Sequence, residues 1–209
     1  MQARDGRITD MQTTIVVLMN DGTDTAFRRE PSLALKIKGV AGIGPRVQDI
    51  DGDGKKDLVV GTYAQGLGDA IARLFAGVPV TLHVHRGTGA KKPPFTAVPD
   101  FAHKLTVPAD DFEKWGARVS AVFQTDFTND GKPDLLTLAR DGDNRRLEIR
   151  PLTVSGGSMS ILEAPIFSAP VDGITDLSHR CLAPGQRASV IVGRAQSLEI
   201  FPPSQGEST

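Results

Sequence analysis

The sequence predicts an all-β chain assembled from repeated strand units, and three observations carry that reading. Its 22 glycines and 14 prolines are scattered among short β-rich runs, as in a protein with many turns. Segments at 81–85, 146–150 and 197–201 alternate a leucine and a β-branched residue with residues of exposed type, the period of a half-buried strand. A nine-residue acidic pattern occurs twice, at 49–57 and 126–134, and each copy runs directly into an apolar stretch: Leu58, Val59 and Val60 in the first, Leu135 and Leu136 in the second.

The repeat has a measurable length. Leu82, Leu147 and Leu198 are 65 and 51 residues apart, and the acidic patterns begin 77 apart, at Asp49 and Asp126. A unit of roughly 50 to 60 residues, lengthened once, matches a four-stranded propeller blade. The lengthening falls near 67–78, where Leu67, Ile71, Leu74, Phe75 and Val78 recur at helical intervals and predict a short amphipathic helix packed on the sheet. Hairpin turns are expected at Asn20 to Gly22 and at Asp141 to Asn144. In a third unit, Val190 to Gly193 follows residues 180–187 as Leu58 follows the first acidic turn. There the carboxylates are gone, so that turn is expected to form without metal.

The division that follows is the end of one blade over about 12–40, a blade over 44–107, a blade over 117–170 and the start of a further blade over 172–202, with a polar tail at 203–209. Counted this way the chain holds about three blades, beginning and ending in third strands. A closed propeller takes four to eight, so the expectation is a piece of a longer chain or one part of an assembly.

Composition removes several function classes. With 24 Lys and Arg against 25 Asp and Glu, the net charge is -1, and no basic cluster is interleaved with aromatics, so nucleic acid is not an expected partner. Apolar stretches are too short for a membrane span, and no charged-then-apolar leader is visible. The lone Cys181 excludes an internal disulfide and reads as a small apolar residue.

No nucleophile elbow, phosphate loop, dinucleotide fingerprint or zinc-helix motif is present. His83 and His85 share one strand face but lack a third ligand at suitable spacing, so they are expected to point outward into solvent. Trp115 is expected to pack on a blade. These readings predict a protein that is not an enzyme.

The chemistry lies in the acidic turns. Carboxylates at 49, 51, 53 and 57, with Gly52 and Gly54 between them to let the backbone fold inward, make an oxygen cage for a hard cation such as Ca2+. Four carboxylates within nine residues repel one another unless a cation or proton neutralises them. An EF-hand is the natural competitor, but it needs an acid at the twelfth place and a helix on each side. Here the twelfth places are Val60 and Thr137, inside β-type runs, and the closing acid stands at the ninth place, Asp57 or Asp134.

These residues resemble the D-x-[DN]-x-D-G-x-x-D-L-h-h-h signature of FG-GAP/VCBS repeats, found in the integrin α-subunit N-terminal β-propeller and in many bacterial surface and secreted proteins. The first turn matches throughout, while the second departs at Thr128 and at Asn129, where Gly is usual. The resemblance implies a β-propeller with blades of four antiparallel strands. It also implies two Ca2+ sites: Asp49, Asp51, Asp53 and Asp57 with the Lys55 carbonyl at the stronger, and Asp126, Thr128, Asp130 and Asp134 with the Lys132 carbonyl at the weaker, which has one carboxylate fewer.

The function expected from the resemblance is a calcium-stabilised, non-catalytic binding module of an extracellular, periplasmic or cell-surface protein. It would serve adhesion or the recognition of a protein or glycan, with the remaining blades of the parent chain or assembly as further partners. Two alternatives stand beside it: an accessory propeller domain of a secreted hydrolase or lyase, and a calcium-dependent lectin.

Overall fold

The structure, a computed structural model, describes residues 11–20, 22, 30–63, 77–107, 109, 121–141, 144–170, 174–180 and 188–201. Every named element among them is a β-strand, and every strand pairing is antiparallel. The chain divides into two compact units, residues 1–48 with 53–109 and residues 49–52 with 110–209.

In the first unit, β1 (Gln12–Val17) pairs with β2 (Leu33–Lys38) from Gln12 opposite Lys38 to Val17 opposite Leu33. The connection between them runs from 18 to 32, so Asn20 to Gly22 is not a tight hairpin. The Gly22 N–H donates to Asn20 Oδ1 at 2.8 Å, a local turn, and residues 21 and 23–29 of the connection lie outside the described residues. A four-stranded meander follows: β3 (Val40–Gln48), β4 (Asp57–Tyr63), β5 (Val78–His85) and β6 (Phe101–Val107), adjacent in chain order. Val78, last residue of the span expected to be helical, opens β5. Gly77 before it has φ of 84°, which is not helical, and residues 67–76 of the span lie outside the described residues, as do Trp115, Cys181, 182–187 and the tail.

Alternation decides which faces are buried. In β2, Leu35 and Ile37 point inward between exposed Ala34, Lys36 and Lys38. With Ile15 of β1 they meet Leu58 and Val60 of β4 and Phe95 in one apolar cluster. Each aliphatic side chain so buried contributes about 1.5–3 kcal/mol. Leu58, Val59 and Val60 are all buried because β4 is an interior strand covered on both faces.

In the second unit, β7 (Ala121–Thr125), β8 (Asp134–Asp141) and β9 (Asn144–Arg150) form a meander. A separate hairpin of β10 (Leu152–Ser155) and β11 (Ser158–Ile161) then leads to β12 (Phe167–Pro170), which pairs back on β9 as the fourth strand. Asp141 pairs with Asn144 across the expected hairpin. A three-stranded sheet, β13 (Ile174–Arg180), β14 (Ser189–Arg194) and β15 (Leu198–Phe201), supplies Val190 and Val192 to a cluster with Phe127, Leu136, Leu138 and Leu147.

The alternation in β15 is opposite to the one read from its leucine. Leu198 and Ile200 are 65% and 48% exposed, and Phe201 packs on the cluster edge-to-face with Phe167, ring centroids 5.4 Å apart. Register explains it: Phe201 stands opposite Val190 and Glu199 opposite Val192, so Leu198 and Ile200 occupy the other face.

Candidate metal centre

Both acidic turns occupy the same place in a sheet. One joins β3 to β4 and the other β7 to β8, in each case the first and second strands of a four-stranded antiparallel sheet.

Their left-handed positions coincide, at the fourth and sixth places of each turn. Gly54 and Gly131 have φ of 83° and 86°, and the preceding special position is Gly52 at 79° in one turn and Asn129 at 64° in the other. Asparagine is the side chain that tolerates this left-handed region best, which accounts for its place where glycine is usual. The second residue of each turn, Ile50 or Phe127, is buried and anchors it. The closing acids Asp57 and Asp134 are 1% and 0% exposed.

Asp49, Asp51 and Asp57 each present a carboxylate oxygen within 4.8 Å of the others, a group that can hold a metal ion. All its donors are oxygens, the set taken by hard divalent cations. The Gly52 N–H donates to Asp49 Oδ1 at 2.9 Å. Asp57 is braced from the segment that follows β5: Gly87 N–H donates to its Oδ1 at 2.8 Å. Gly87 is required there, since a Cβ on it would lie 2.3 Å from the carbonyl oxygen of Lys56. No local signal marks Gly87, because it meets the turn from 30 residues away.

Asp53 stands outside this group of three. Its Oδ1 accepts from the Lys55 N–H and its Oδ2 from the Lys55 ammonium, both at 2.8 Å, and the ammonium holds the Asp53 carboxyl below the usual carboxylate range. Asp130 is held likewise by Lys132 Nζ at 2.8 Å and Lys132 N–H at 2.9 Å. Burial pushes the Asp130 carboxyl upward, but the Lys132 hydrogen bonds outweigh it and leave the group lowered.

The second turn is closed by hydrogen bonds. Asp126 accepts from the N–H groups of Asp130 and Gly131 at 3.1 and 2.8 Å, and Asp134 from those of Phe127 and Thr128 at 2.8 and 2.9 Å. The Thr128 hydroxyl lies between these carboxylates, 3.3 Å from Asp126 Oδ1 and 3.5 Å from Asp134 Oδ1. Burial pushes the Asp134 carboxyl up, against the two backbone donors. A neutral hydroxyl thus stands where the first turn has the Asp51 carboxylate, and among the described residues only Asp49, Asp51 and Asp57 converge as an acidic cluster.

The histidines differ from their expected solvated placement. His85 is 1% exposed, because residues 94–96 fold over it and its Nδ1 lies 2.9 Å from the Thr96 carbonyl oxygen. His83 Nε2 lies 3.2 Å from Thr62 Oγ1. Burial lowers both imidazoles below 6.5, and His83 Nδ1 and His85 Nε2 are buried without a partner.

No helix among the described residues is long and apolar enough to cross a membrane. Comparison of the chain with family models, curated proteins and solved structures finds no match.

Proposed function

We propose that this chain is a segment of a β-propeller of the FG-GAP/VCBS kind, a non-catalytic binding module whose two acidic turns take up Ca2+. The observation that carries the reading is the convergence of Asp49, Asp51 and Asp57 in a turn between the first and second strands of a four-stranded sheet. The same backbone geometry recurs before β8, which supports a repeated unit. On this reading Ca2+ takes the three converged carboxylates first, and Asp53 exchanges its lysine for the ion. The second site is weaker, because Thr128 replaces a carboxylate.

The calcium acts structurally, replacing repulsion within each turn by attraction and fixing the entrance to β4 and β8. The module works outside the cytoplasm, in adhesion or in recognition of a protein or glycan. Thermal unfolding in calcium and in chelator tests this. An ion bound only by the folded state stabilises it by about 2.7 kcal/mol at a hundredfold excess over Kd, or roughly 5 to 10 °C in Tm for a chain of this size. Coincident melting curves in the two conditions would contradict it.

A further inference from the structure

Beside the first acidic turn lies a cleft of about 600 Å3, within the range of small-molecule sites. Its apolar wall comprises Val17, Leu18, Val47, Pro94 and Phe95. Leu18 and Val47 are 44% and 58% exposed, apolar surface open to a ligand. Lys55, Lys56 and Lys91 also line it, and among the described residues no acidic side chain does. Lys56 and Lys91 form no ion pair among the described residues, whereas Lys55 holds Asp53.

The wall is built in advance. Gly87 bridges to Phe95, Thr88 N–H donates to the Pro94 carbonyl at 2.9 Å, and the Thr88 hydroxyl donates to the Pro93 carbonyl at 2.6 Å. Such a site offers an apolar body its burial and a single negative charge its counter-ions, with no acidic side chain in the lining itself.

We propose that this cleft binds a small amphiphilic carboxylate, a fatty or aromatic acid or the apolar C-terminus of a short peptide, with Lys56 and Lys91 at the carboxylate. Two links tie the cleft to the turn: Asp53 holds the Lys55 ammonium, and Gly87 N–H holds Asp57. Calcium that draws Asp53 away therefore takes one carboxylate from the Lys55 ammonium, which makes the cleft wall more positive toward the ligand. This coupling rests on the calcium reading above, and by linkage the carboxylate tightens calcium by the same factor.

Decanoate, decanol and a pentapeptide with an apolar C-terminus, as free acid and as amide, are titrated into the full chain with and without calcium. A carboxylate-bearing probe binds and its uncharged counterpart binds more weakly. Octanoate is weaker than decanoate by up to about fifteenfold, since each methylene withdrawn from water is worth about fourfold. Lys91→Glu weakens the acid by about fivefold and leaves decanol and the calcium heat unchanged, and calcium tightens the acid roughly two- to fivefold.

Which of decanoate and the free peptide binds tighter identifies the source of the carboxylate. Failure of both acids to bind a chain that still gives a calcium heat, or equal binding of acid and alcohol, overturns the site. A calcium heat with unchanged acid affinity overturns the coupling. Acid binding that needs Lys91 in a chain with no calcium heat supports the cleft while refuting the calcium reading.

Discussion

Replacing Gly87 by alanine tests how the first acidic turn is held. The added Cβ would stand 2.3 Å from the Lys56 carbonyl oxygen and 3.2 Å from the Lys55 Cβ. Relief to ordinary contact, about 3.5 Å, needs a displacement of about 1 Å. The Gly87 N–H to Asp57 bond, now 2.8 Å, would then pass beyond hydrogen-bonding distance. Backbone overpacking costs about 1–3 kcal/mol, and loss of a hydrogen bond to a buried charged group about 1.5–3 kcal/mol. A combined loss of about 3 kcal/mol is expected, which at a slope of roughly 2 kcal/mol per molar urea lowers the unfolding midpoint by about 1.5 M. Urea unfolding followed by circular dichroism measures it. A midpoint within about 0.2 M of wild type, at unchanged slope, would show that residues 87–95 do not brace the turn.

Two further outcomes follow from the turns and from the buried histidines. Asn129→Ala is expected to destabilise by about 1 kcal/mol, because alanine bears the left-handed φ of 64° less well, whereas Asn129→Gly is close to neutral, and Tm separates the two. Burial depresses His83 and His85 below 6.5, so the unfolded chain binds more protons in the window beneath that value. Their stabilising contribution is therefore present above pH 6.5 and lost as pH falls through the folded-state values, by less than about 1.4 kcal/mol per pH unit for each histidine. Urea midpoints between pH 7.5 and 5 give this slope in wild type and in a His83→Gln/His85→Gln double variant, where it flattens; equal slopes in the two would refute it.

The all-β character and the acidic turns were legible because both are local. Alternation in 81–85 and 146–150 reports faces directly, and Leu82 and Leu147 are buried at 1% and 0% exposure. Leu198 misleads because register with β14, not its own hydrophobicity, assigns its face. Spacing of acids showed where a cation can sit, but not that Asp53 spends its charge on Lys55.

Burial of His85 and the brace from Gly87 depend on the loop after β5, which brings Thr96 to His85 across 11 residues and Gly87 to Asp57 across 30. The cleft is assembled from residues near 17, 47, 55 and 90, and no local pattern announces such a convergence.

The account turns on whether the Asp49, Asp51 and Asp57 carboxylates hold calcium. Calorimetric titration of Ca2+ into the wild-type chain and into Asp51→Ala addresses this directly. Two binding events of unequal affinity are expected in the wild type, with the tighter one lost in the variant. A wild-type chain that evolves no binding heat, or an Asp51→Ala titration superimposable on it, would contradict the account.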